Sequence, residues 1–128
     1  MLGLRHLALK VRDIRRSVEF YTEILGMRMD WQPDERNAYL TSGADNLALH
    51  QWEAPEADLT GAGSSLDHFG FLVSRPEEVD EWAVHLAAKG VPLIQAPRTH
   101  RDGSRSLYFR DPDDNLVQLL FHPHISRP

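Results

Sequence analysis

The sequence predicts an α+β fold: two βαβββ modules in one chain, whose paired sheets form a cup. Three observations carry that expectation. The segment LRHLALKV at residues 4–11 alternates apolar positions in strand fashion, and the same grammar returns as LDHFGFLV at 66–73, with His6 and His68 in matching places. Each copy is followed by a helical pattern that stops at a glycine, Gly26 in the first and Gly90 in the second. The stretch 53–65 between them is rich in Ala, Gly, Pro and Ser and has no hydrophobic period. The offset is 62 residues at the His pair (68 − 6) and 64 at the Gly pair (90 − 26), a drift that loop insertions produce.

The elements come in order along the chain. Asp13 or Ser17 can cap a first helix over roughly 14–25, whose apolar stripe is Ile14, Val18, Tyr21 and Leu25. Met27–Gln32, Ala38–Thr41 and Asn46–Trp52 read as three antiparallel strands, broken by Pro33-Asp34-Glu35 and by Ser42-Gly43. In the second copy Ser74 and Pro76 start a helix with Val79, Trp82, Ala83 and Leu86 on one face. Strands Pro92–Ala96, Ser106–Phe109 and Leu116–Phe121 complete it. The expected organisation is one domain: a module at 1–53, a linker at 54–65, a module at 66–122 and a tail at 123–128. Two copies are too few for a solenoid and suggest a pseudo-symmetric pair of sheets around a concavity.

Composition narrows the function classes. The 128 residues are 41% hydrophobic and 26% charged, enough apolar content for a real core. The formal net charge of −5 argues against nucleic acid, which needs a surplus of Lys and Arg on one face. No apolar run reaches the about 18 residues that span a bilayer, and the opening MLGLRHL lacks the regions of a secretory leader, so a cytoplasmic location is expected. With no Cys, any metal must be held by His, carboxylate or amide groups.

Strand parity selects the residues that line the concavity, because positions i and i+2 share a face. With Leu7, Leu9 and Val11 against the helix, His6, Ala8 and Lys10 turn the other way, and the same reasoning turns His50, His68 and Gln118 inward. A single inward His is more often a hydrogen-bonded core residue than a ligand. Three convergent ones with an amide point toward a shared task.

At these residues the chain resembles the vicinal oxygen chelate superfamily of glyoxalases, bleomycin- and fosfomycin-resistance proteins and extradiol dioxygenases. The likeness rests on HLALKVRD and FYTEILGM in the first half, and on DHFGFLV, LAAKGV and YFRDPDDNLVQL in the second. It implies the glyoxalase/dioxygenase-like fold, with His6, His50, His68 and Gln118 at the divalent-metal positions, the ion being Fe, Mn, Ni, Co or Zn. It further implies a homodimer and a metal-dependent enzyme acting on a small substrate with vicinal oxygens, dioxygenase-like or lyase/isomerase-like. The alternative is a non-catalytic small-molecule or drug-binding protein of the same fold. No individual catalytic residue is assigned.

Two departures from the family pattern stand out. Asp114 replaces the usual glycine of the DPDGN turn, which Asp tolerates because it can adopt left-handed backbone. Gln118 stands where a Glu is usual; its amide binds through one oxygen and cannot move a proton from carbon. Metal-bound oxygen chemistry is then expected to rest on the ion as Lewis acid.

The hairpin RTHRDGSRS at 98–106 gathers Arg98, His100, Arg101 and Arg105 around a two-residue Asp102-Gly103 turn. It reads either as a solvated loop or as a basic lid that recruits a carboxylate or phenolate. Trp52 and Tyr108 are candidate walls, His85 a solvated helix residue, and His122 and His124 members of a frayed tail.

Overall fold

A computed structural model describes residues 1–53 and 66–126, which fall into two compact units, Met1–Ala62 and Gly63–Pro128. The expected linker at 54–65 lies outside the described residues. Among the described residues no helix is long and apolar enough to cross a membrane.

The first unit runs β1 (His6–Val11), α1 (Ile14–Glu19), β2 (Arg28–Asp34), β3 (Asn37–Thr41) and β4 (Asn46–Gln51). Its sheet has the order β1-β4-β3-β2, with β1 parallel to β4 and the other pairs antiparallel. Leu9, Val11, Leu40, Leu47 and Leu49 are buried on the side where α1 packs. Asp13, not Ser17, caps α1: its carboxylate accepts from the amides of Arg15 and Arg16 at 3.1 and 3.3 Å, while Ser17 is buried inside the helix. The single helix expected over 14–25 divides, because after Glu19 the chain widens into a π-type turn over Phe20–Ile24. That turn seats Phe20 and Tyr21 in the core, their rings edge to face at 5.3 Å. Strand β2 continues through Pro33, which the sheet accommodates because β2 ends the strand order and its register against β3 shifts there.

The second unit runs β5 (Phe69–Leu72), α2 (Pro76–Ala88), β6 (Leu93–Thr99), β7 (Arg105–Arg110) and β8 (Leu116–Phe121). Its sheet order β5-β8-β7-β6 repeats the first, and β5 is again parallel to β8. The Glu78 carboxylate accepts the amides of Ser74 and Arg75 at 2.8 Å and so closes the start of α2. Val79 and Leu86 from the helix meet a sheet face of Leu107, Phe109, Val117 and Leu119, all buried. Strand β5 starts later than expected, at Phe69, so His68 sits just ahead of it. Strand β6 is longer than expected and reaches Thr99, taking up Pro97 where its register against β7 shifts.

The DPDDN turn between β7 and β8 is organised by one carboxylate. Asp111, 4% exposed, accepts from the backbone amides of Asp113 and Asn115 and from the Asn115 side chain, each at 2.9 Å. Asp114 takes the left-handed φ of 64° that the turn requires. Replacing Asp111 by Ala leaves those donors unmatched in a buried place. A loss of about 2–4 kcal/mol is expected in chemical denaturation; a loss below about 1 kcal/mol would show that water takes over the bonds.

Candidate functional site

In the first unit the open face of the sheet, opposite the helix, carries the residues that parity selects. The register places His6 beside Asn46, Ala8 beside Ala48, and Lys10 beside His50, with Asn37 next to His50 on the far side. The His6 ring meets Asn46 Oδ1 through Nδ1 at 2.8 Å, and the His50 ring meets Asn37 Oδ1 through Nδ1 at 2.7 Å.

A carboxylate fixes the second of these contacts. The Asn37 amide donates through Nδ2 to both Asp34 oxygens, at 2.9 and 3.1 Å, and a carboxylate can only accept. The Asn37 oxygen therefore faces His50, and Nδ1 of His50 donates to it. The Arg36 backbone amide, and after it the Asn37 side chain, hold the Asp34 carboxyl below the usual carboxylate range.

His6 and His50 share a face but not a place. They lie four residues apart along the parallel pair (50 − 46), about 13 Å at the usual strand rise. Each ring is tied at its own end by a different asparagine. Within the first sheet His6 and His50 therefore stand at different heights of the shared face.

The second unit aligns Gln95, Tyr108, Gln118 and Gly70 across β6, β7, β8 and β5. Gly70 makes room for Gln118: a Cβ added there would lie 3.0 Å from the Gln118 carbonyl oxygen and 3.2 Å from its Cβ. The Gln118 side chain makes no hydrogen bond among the described residues, and Gln95 Nε2 is buried without one. His68 donates through Nδ1 to the Asp67 carboxylate at 2.6 Å, and Tyr108 meets its ring edge to face at 5.3 Å. Tyr108, which the sequence leaves between wall and core, stands on this open face beside His68. Each unit supplies two of the expected ligands, and among the described residues no three His or carboxylate groups gather as a metal cluster.

The sequence matches the Glyoxalase/Bleomycin resistance protein/Dioxygenase superfamily over residues 3–119. The chain belongs to this superfamily. It is 33% identical over 120 residues to a virulence protein of Salmonella typhimurium, covering 89% of this chain and 80% of that one. It is 27% identical over 118 residues to the metallothiol transferase FosB of Shouchella clausii, covering 91% and 78%. The crystal structure of lactoylglutathione lyase from Agrobacterium tumefaciens superposes with a TM-score of 0.76 at 25% identity, covering 93% and 92%.

The basic hairpin of this superfamily member is less free than its sequence suggests. Gly103 at φ 86° bonds back to the His100 carbonyl and His100 pairs with Ser104, so the loop holds Arg101, Asp102 and Gly103 instead of the expected two residues. Arg105 leaves the expected lid. It shares parity with the buried Leu107 and Phe109 on the helix side, and it grips Asp80 of α2 at 2.6 and 3.0 Å and Thr99 at 2.9 Å. That grip lowers the Asp80 carboxyl. His100 donates to or accepts from the buried Ser106 hydroxyl at 2.8 Å, while Arg98 and Arg101 stay exposed. The tail is ordered through Ser126: the Ser126 hydroxyl accepts from the His122 amide at 2.8 Å, and the Ser126 amide donates to the His122 carbonyl at 2.9 Å. The frayed end expected for His122 is corrected accordingly. Trp52 lines a cavity of about 410 Å³ together with Lys10, Arg36, Asn37 and His50.

Proposed function

We propose that this superfamily member is a divalent-metal-dependent enzyme acting on a small substrate that bears vicinal oxygens, with His6, His68 and Gln118 as ligands. The observation that supports it is shared by both histidines: each commits Nδ1 to a side-chain oxygen, Asn46 for His6 and Asp67 for His68. Metal-bound imidazoles are oriented in this way, the outer contact fixing the tautomer and raising the basicity of Nε2. His50 has the same orientation but belongs to another part of the face, so it is left out of the ligand set.

A bound ion would supply Lewis-acid polarisation of the substrate oxygens. The protein's own groups restrict the chemistry open to it. Gln118 offers a carbonyl oxygen and no proton acceptor. Tyr108 beside His68 can hydrogen-bond a substrate oxygen, donating while neutral. Addition or ring opening at an electrophile fits this set better than isomerisation, which needs a base to take a proton from carbon. Likeness to a metallothiol transferase points the same way. A non-catalytic binding role is the second reading, favoured by the neutral Gln118.

The cobalt(II) form gives the test. Its visible spectrum is expected to shift saturably when an α-hydroxyketone or a catechol is added, and to stay fixed with the monohydroxy analogue. Equal response to both compounds would overturn the vicinal-oxygen reading. The open sheet edges at β1, β2, β5 and β6 support a homodimer as well. Light scattering is expected to give twice the chain mass, and a value near 14.6 kDa would overturn that assembly.

A further inference from the structure

The far end of the first sheet has a charge arrangement that the metal reading does not use. Lys10, His50 and Asn37 lie side by side on three neighbouring strands, and all three line the cavity of about 410 Å³. That volume falls within the range of small-molecule sites. The Lys10 ammonium lies 4.7 Å from the Trp52 ring and has no carboxylate partner among the described residues. Among the described residues Arg36 pairs with Glu53, at 3.6 Å, with both side chains largely exposed, so the pair is weak. Trp52 lines the same cavity, and its indole Nε1 is a buried donor without a partner among the described residues.

Against the one carboxylate of Glu53 in the lining, two cations and the indole donor of Trp52, whose ring also forms a wall, leave the hollow complementary to a flat organic anion. We propose that this cavity binds the carboxylate of a small planar molecule, with Lys10 and Arg36 holding the acid group and Trp52 flanking the body. Lys10 would leave the Trp52 face to meet the carboxylate, exchanging a cation–π contact for a charge-assisted hydrogen bond. The Asp34 carboxylate does not line the cavity and is taken up by the Asn37 amide, whose oxygen meets His50. The site lies within the first unit and does not rest on the metal reading.

Calorimetry on chelator-treated protein tests it with benzoate as the probe and benzyl alcohol as its neutral counterpart. Saturable benzoate binding is expected, weakened about tenfold in Lys10→Met and again in Arg36→Gln, with benzyl alcohol at least about tenfold weaker than benzoate. Both replaced side chains are exposed, and unchanged melting temperatures will confirm that the variants fold. Absence of saturable benzoate binding, equal binding of the alcohol, or affinity unchanged in both variants would overturn the proposal. Because no metal is present, either result leaves the metal reading to its own test.

Discussion

Purified protein reconstituted with Fe(II), Mn(II), Ni(II), Co(II) or Zn(II) is expected to hold one ion per chain, and His6→Ala combined with His68→Ala is expected to abolish that binding. Imidazole nitrogen binds these ions well, and rings already fixed by Asn46 and Asp67 need little reorganisation to do so. Two of three ligands are removed, and the remaining amide is a weak donor, so the loss is expected to exceed about a thousandfold, or roughly 4 kcal/mol. Both histidines are exposed and outside the core, which keeps the variant folded. His50→Ala serves as the internal control and is expected to leave stoichiometry at one. Elemental analysis reads all three outcomes; retention of one ion per chain in the double variant would end the metal reading.

The second large effect is expected from Gln118→Glu. The change keeps side-chain length and places a negative charge beside a doubly positive ion. Metal affinity is expected to rise about tenfold to a hundredfold, the scale by which charge-assisted contacts exceed neutral ones. Were Gln118 a structural bridge, the same change would delete a donor and lower the melting temperature. The side chain makes no hydrogen bond among the described residues, so little structural loss is anticipated. Gly70→Val gives a steric counterpart: its branched side chain would crowd the Gln118 backbone and Cβ, and metal affinity is expected to fall even though no ligand is altered. Titration calorimetry with Ni(II), beside melting curves, checks both. Weaker binding by the Glu variant with lost stability would remove Gln118 from the ligand set.

Much of the fold and of the candidate site is legible in the sequence because a strand has a period of two. His6, His50 and Gln118 turn away from the helix side, as alternation requires, and His68, just ahead of β5, meets Tyr108 of the open face. The outer partners are hidden for a physical reason. Asn46 meets His6 across a parallel pairing of strands 40 residues apart, and no local pattern specifies that register. The same register separates His50 from His6, which parity alone cannot detect. Nearness along the chain groups Arg105 with the other basic residues of the hairpin, although its parity with Leu107 already places it on the helix side. The break in the first helix is hidden because Phe20 and Tyr21 fit both a regular helical stripe and a wider turn. Gly70 reads in the sequence as a strand position without a role, since its value lies in the side chain that it omits beside Gln118.

Parallel pairing of first strand with last strand also orders events in time. In each unit the opening strand pairs with the strand that is last in its sheet along the chain, β1 with β4 and β5 with β8, so its partner is synthesised last. Such long-range closures are slow steps, because loop entropy is lost before any contact rewards it. A chain growing from its N-terminus completes the first sheet at Gln51, before Phe69 exists to begin the second. His6 emerges among the first residues, yet its imidazole acquires Asn46 only when β4 docks. Formation of the proposed ion site is therefore expected late in folding, after a period in which the nascent chain's histidines are present but not yet oriented.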